Sequence, residues 1–145
     1  MSVRLGKYGA YNPSHKGMSK VKAYVEEYVK ETSHVPFLKP LLMVIHFRMP
    51  LARSSKLVEP PAREFLPHAI RPDGDNLEKL VNDCFKGLVW KDDSQLFCVL
   101  RYKSWTKYPE GETRVFIQSF DKDIINAFDI KGAILESEEF INGKT

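Results

Sequence analysis

Along the chain the apolar positions switch between a helical and a strand period, and the switches mark the elements. Val21, Tyr24, Val25, Tyr28 and Val29 recur at helical spacing, with Lys22 and Glu26, then Glu26 and Lys30, as i,i+4 pairs on the other side. Residues 20 to 31 are therefore predicted as an amphipathic helix with its tyrosines at the core edge. Leu41 to Met49 is largely apolar, rich in strand formers and bounded by Pro40 and Pro50, which marks a well-buried strand. Leu77, Leu80, Val81, Cys84, Phe85 and Leu88 return to helical spacing, opposite Glu78, Lys79, Asn82, Asp83 and Lys86. This helix is expected to start near Asn76, with Asp75 as its N-cap and Glu78 closing a capping box, and to stop at Gly87.

Leu88 to Asp93 reads as a strand-like run, and Gln95 to Trp105 continues as a strand in which Phe97 and Val99 share parity with Arg101 and Lys103. Pro109, Glu110 and Gly111 make a turn, and Thr113 to Gln118 return, so an antiparallel hairpin is expected. Ile124, Ile125 and Phe128 predict a short helix ended by Gly132. The proline-rich stretch 51 to 67, with Arg53, Lys56 and Arg63, reads as an irregular connection, and loops of that length are usually functional or disordered. A mobile basic flap is the expectation there.

Composition narrows the class. A 145-residue chain with 43% hydrophobic and 28% charged residues is expected to be one soluble globular domain. Its longest apolar run is far short of a membrane span, and the polar start does not read as a signal peptide. A cytoplasmic protein is expected. Cys84 and Cys98 have no metal-ligand spacing and read as buried thiols. The net charge of +3 hides an asymmetry: residues 1 to 63 hold eleven Lys/Arg against four Asp/Glu, and residues 64 to 145 hold eleven against fifteen. The first half suits phosphate, and the second holds an acidic group.

That group lies in residues 71 to 95, R-P-D-G-D-N-L-E-K-L-V-N-D-C-F-K-G-L-V-W-K-D-D-S-Q. Asp73 with Asp75, and Asp92 with Asp93, form two pairs separated by one helix. A helix of about eleven residues spans roughly 16 Å, and a strand from Leu88 returning antiparallel would climb roughly 20 Å. The second pair would then arrive beside the first. Converging carboxylates need a cation, and oxygen-only ligands suit Mg²⁺ or Mn²⁺. Lys79, one turn after Asp75, could reach a phosphate held there. Singly, each aspartate has a structural explanation, such as a cap or, for Asp83, a pair with Lys79. An EF-hand is excluded, because its sixth position would be Glu78 and its twelfth Cys84. There is no Gly-rich phosphate loop and no Cys/His zinc pattern. His68 near the motif reads as incidental, and His15, His34 and His46 have no site-like spacing.

R-P-D-G-D-N-L-E-K followed by K-D-D-S-Q resembles the core of the RusA family of Holliday junction resolvases, whose pattern is K/R-P-D-x-D-N-L-x-K, a helix, then D-D-x-Q. The resemblance covers roughly residues 40 to 118. It implies a single-domain α+β fold over residues 1 to 120, with helices packed on a mixed or antiparallel sheet and residues 121 to 145 as an extension on the same domain. It also implies a Mg²⁺-dependent endodeoxyribonuclease acting as a homodimer on four-way DNA junctions. Asp73, Asp75 and Asp93 take the positions of the family's essential acids and metal ligands, and Lys79 that of its functional lysine. Asp92 is an outer ligand or a cap. Arg4, Lys7, Lys16, Arg71, Lys79, Arg101 and Lys103 are the candidate DNA contacts, with Tyr8 and Tyr11 available for stacking. The chain departs from the pattern at Gly74, where family members usually carry a branched apolar residue, and in an N-terminus that looks too short for their opening strand. The alternatives are a less selective branched-DNA or flap nuclease using the same carboxylates, and a non-catalytic branched-DNA-binding protein of the same fold.

Overall fold

The computed structural model describes residues 1–5, 15–52, 54–58, 60, 65–107 and 111–141, without the side chains of 15–18 and 141. Its elements in chain order are β1 (Ser2–Leu5), α1 (His15–Glu31), β2 (Leu41–Pro50), α2 (Gly74–Phe85), β3 (Leu96–Thr106), β4 (Glu112–Ser119) and α3 (Ala127–Ile141). The strands form one mixed sheet in the order β1-β4-β2-β3, so the fold is α+β.

The apolar run of β2 explains its place. Every residue from Leu41 to Phe47 is buried, which requires cover on both faces and a strand on both edges. Leu41, Met43, Ile45, Phe47 and Met49 join α1 and α2 in the larger core, while Leu42 and Val44 join Phe116 and Ala133 under α3. Leu77, Val81 and Phe85 supply the buried face of α2. Each such side chain contributes roughly 1.5–3 kcal/mol. Val21 and Val25 anchor α1, and Tyr28 stays at the core edge with its hydroxyl donating to Ser2 O at 3.1 Å. Cys84 is buried, Cys98 half-buried, and neither forms a disulfide.

Four expectations are corrected. Thr113 to Gln118 does not pair with the preceding strand: β2 lies between them, parallel to β3 and antiparallel to β4. An opening strand exists, because β1 pairs antiparallel with β4 from Ser2 opposite Phe116 to Leu5 opposite Thr113. The terminal helix runs through Gly132, where a Cβ would meet nothing within 4 Å, so that glycine weakens the helix without ending it. Leu88 to Asp93 makes no strand: Leu88 and Val89 N–H both donate to Phe85 O, and Gly87 N–H donates to Trp90 O at 2.7 Å. The chain turns immediately after α2, a turn that Gly87 permits with φ 83°. A single 3-10 turn over Asp93–Gln95 then leads into β3.

Candidate active site at the two ends of helix α2

α2 begins one residue after Asp73, not at Asn76. Asp73 occupies the cap position with φ −68° and ψ 142°, yet its side chain makes no cap hydrogen bond. Glu78 does not reach back to close a box either; its Oε2 accepts from Arg101 Nη1 at 2.9 Å. Asp73 and Asp75 are both exposed, and neither carboxylate has a hydrogen bond or ion pair among the described residues. Lys79 is exposed one turn further on, and Arg71 is exposed just before. The helix N-terminus favours this negative charge.

β3 crosses below and holds the start of α2 in place. Lys103 Nζ donates to Ile70 O and Pro72 O, each at 2.7 Å, so its ammonium fixes the backbone entering Asp73. Arg101 passes under Gly74, where an added Cβ would lie 3.0 Å from its Nε. The missing branched residue has thus left room for a guanidinium. Of the candidate cations, Arg71, Lys79, Arg101 and Lys103 are gathered here. Arg4 is not: Val3 and Leu5 enter the larger core, so Arg4 faces the other side of the sheet, over the Phe140 ring at 5.3 Å. Lys7, Tyr8 and Tyr11 lie outside the described residues, as does the side chain of Lys16; of the 51–67 connection, Arg53, Glu59 and 61–64 lie outside them too.

The second aspartate pair sits just past the other end of α2. Asp92 Oδ2 is 3.9 Å from Lys86 Nζ, the residue that follows the helix. Asp92 Oδ1 accepts from Ser94 N–H at 2.9 Å while Gln95 Oε1 accepts from Asp92 N–H at 2.8 Å, a reciprocal box. Those Ser94 hydrogen bonds, then the Lys86 charge, hold the Asp92 carboxyl below the usual range. Asp93 Oδ1 accepts from Trp90 Nε1 at 2.7 Å, which leaves Oδ2 free to bind. Because α2 has 12 residues, it separates the pairs by about 18 Å. Accordingly, no three His, Cys, Asp or Glu side chains among the described residues are close enough to hold one metal ion.

Sequence reasoning missed two positioning residues. Trp90, fully buried against Phe85, orients Asp93. Gln95 ties the turn to the chain before β2 by donating from Nε2 to Phe37 O at 2.8 Å and Lys39 O at 3.0 Å. The signal was the W-x-D-D-x-Q spacing itself, in which each polar residue is answered within three positions.

Two histidines taken as incidental are buried. His46 shares a 2.7 Å hydrogen bond between Nε2 and Ser104 Oγ and stacks on Tyr102. Burial, with Arg48 and Arg114 nearby, pushes its pKa down to about 3. His68 packs on Trp105, its backbone N–H donating to Lys103 O at 3.1 Å; burial and the Lys103 charge lower its pKa as well.

Two exposed carboxylates, a lysine one turn on and two arginines are thus brought together at the start of α2 on an α+β scaffold. The family model described as Endodeoxyribonuclease RusA matches residues 3–118, and the chain belongs to that family. Its class of activity is that of an endodeoxyribonuclease resolving Holliday junctions. No curated protein gives a significant match.

Proposed function

We propose that this chain resolves four-way DNA junctions by paired nicks as a homodimer, with Mg²⁺, or Mn²⁺ in its place, held by Asp73 and Asp75 of one chain together with Asp93 of the partner subunit, since the two pairs of one chain lie at opposite ends of α2. The observation that carries the reading is the idleness of Asp73 and Asp75. A capping role would explain them, yet neither caps α2, and both carboxylates stand in solvent without a partner among the described residues. Their hard oxygen donors fit a small divalent cation. Such an ion, once bound, supplies the Lewis acidity that activates water and offsets charge on the scissile phosphate.

The chain's own groups do the rest. Asp73 and Asp75 hold the cation at the positive end of α2, and Trp90 keeps one Asp93 oxygen fixed so that the other is presented in a constant direction. Lys79 stabilises charge on the phosphate in the transition state. Arg71 orients the DNA backbone by contacts that carry no sequence information, while Arg101 and Lys103, engaged by Glu78 and by backbone carbonyls, set the shape of the site. Two sites related by a dyad match the approximate two-fold symmetry of a four-way junction. Among the described residues no helix is long and apolar enough to cross a membrane, and DNA as substrate points to the cytoplasm.

Mn²⁺ titration followed by electron paramagnetic resonance tests the ligand set. Asp73→Asn and Asp75→Asn, both at exposed positions, are expected to weaken Mn²⁺ binding by more than about 10-fold, the scale on which even outer-shell changes act. Unchanged affinity in both would contradict the assignment.

A further inference from the structure

The face of the sheet turned away from α2 carries positive charge that the fold leaves unbalanced. Alternation along each strand sets this: Val3, Leu5, Ile45, Phe47 and Val115 enter the core under α1 and α2, so Arg4, His46, Arg48 and Arg114 lie on the side of α3. The register then aligns them. Arg4 of β1 is opposite Arg114 of β4, Arg114 is opposite His46 of β2, and His46 is beside Tyr102 of β3, one row across the whole sheet. In the next row Arg48 is opposite Glu112 and beside Ser104.

Three guanidinium groups thus share one carboxylate. Glu112 Oε2 accepts from Arg48 Nη1 at 2.7 Å and from Arg114 Nε at 2.9 Å. Arg48 also donates to Thr106 Oγ1 at 3.1 Å. Arg114 keeps both Nη groups without a partner among the described residues, and the exposed Arg4 has the Phe140 ring beneath it but no carboxylate. Like charges directly opposite on neighbouring strands destabilise a sheet, and partial burial adds to that cost. The side chains of Arg48 and Arg114 are only 24% and 13% exposed. Burial, with Arg48 and Arg4 nearby, holds the Arg114 guanidinium below its usual range against the pull of Glu112. His46, in the same row, has Nδ1 buried without a hydrogen bond among the described residues. Glu138 of α3 is felt at Tyr102, at the end of the row.

A sheet that sets arginine opposite arginine and supplies one carboxylate for three of them is completed by an anion. We propose that Arg4, Arg48 and Arg114 form an oxyanion site for a phosphate group, on the opposite face of the sheet from Asp73 and Asp75. The planar guanidinium fork matches phosphate oxygens in two-point contacts that an ammonium cannot make. Phe65, 46% exposed and edge-on to the His46 and Tyr102 rings at 5.2 Å each, adds an apolar wall beside the row. The phosphate belongs to a DNA strand or to a small soluble ion, and its chemistry at the row is the same. The inference stands apart from the metal-dependent reading, since none of these residues lies on α2 or beside its aspartates.

Titration of isotope-labelled full-length protein with inorganic phosphate, followed at the arginine Nε–H resonances, tests it. Saturable shifts at Arg4 and Arg114 are expected. Arg4→Gln, at an exposed position, is expected to weaken phosphate binding by about 10-fold, the scale of one charge-assisted hydrogen bond. A four-way junction added in EDTA then identifies the source. Displacement of phosphate by the DNA, with the salt slope of DNA binding reduced by about one in Arg4→Gln, supports the site as a contact for a strand backbone. Phosphate that stays in place while DNA is bound supports it as a site for a small soluble ion. Arginine resonances that drift without saturating, or an Arg4→Gln protein with unchanged phosphate affinity, would overturn the inference.

Discussion

Trp90 shows how one side chain serves both the core and the chemistry. Its ring packs on Phe85 while its indole N–H fixes Asp93, so Trp90→Phe keeps most of the apolar volume and loses one hydrogen bond to a carboxylate. We expect a stability loss of about 1–2 kcal/mol in urea unfolding, together with weakened Mn²⁺ binding. An unaltered metal affinity would make the bond purely structural. His46 has the opposite character, a titratable group withheld from protons. In the unfolded chain it takes up a proton below its ordinary value of 6.5, whereas in the fold it stays neutral down to about 3. Its contribution is therefore complete above pH 6.5 and is lost as pH falls through that window, by up to about 1.4 kcal/mol per unit. His68 acts in the same direction. Replacing His46 by Asn is expected to flatten the dependence of the urea midpoint between pH 6.5 and 5; an equally steep dependence would assign it to other groups.

At the scale of elements, legibility followed locality. α1, β2 and α2 were readable because their periods are written in contiguous residues, and the apolar run of β2 announced a central strand. The pairing of β3 was not. Two strand-like runs separated by Pro-Glu-Gly look the same in sequence whether they pair with each other or flank a third, and the deciding partner, β2, lies about fifty residues earlier in the chain. The position of Asp93 was misread for a related reason. Leu88 to Trp90 has strand-forming residues, but Gly87 and the bonds back to Phe85 O turn the chain at once, leaving β3 to make the return. The acidic motif was legible as a family signature and illegible as geometry. Gly132 was read as a helix stop on intrinsic preference alone, whereas Ala133 packing under the sheet carries α3 past it. With open space around that position, Gly132→Ala is expected to stabilise the protein by about 0.5–1 kcal/mol in a thermal melt. A loss of stability would mean that α3 does not pass through residue 132 as an ordinary helix.

For the molecule as a whole, the four-stranded sheet acts as a spacer that fixes α2 on one face and α3 on the other. Gly74 fits within this frame: the guanidinium of Arg101 lies where a branched side chain would sit, so the departure from the family pattern is compensated rather than left as a gap. The central claim, that the unpartnered aspartates at the start of α2 serve junction cleavage, is tested most directly on a labelled synthetic four-way junction beside linear duplex. Wild type and Asp75→Asn are compared in Mg²⁺ and in EDTA. Paired nicks confined to the junction are expected, abolished by EDTA and reduced more than about 100-fold by the substitution, the scale of losing one electrostatic participant in the transition state. Nicking that persists in Asp75→Asn or in EDTA, or junction binding by wild type without any nick, would contradict it.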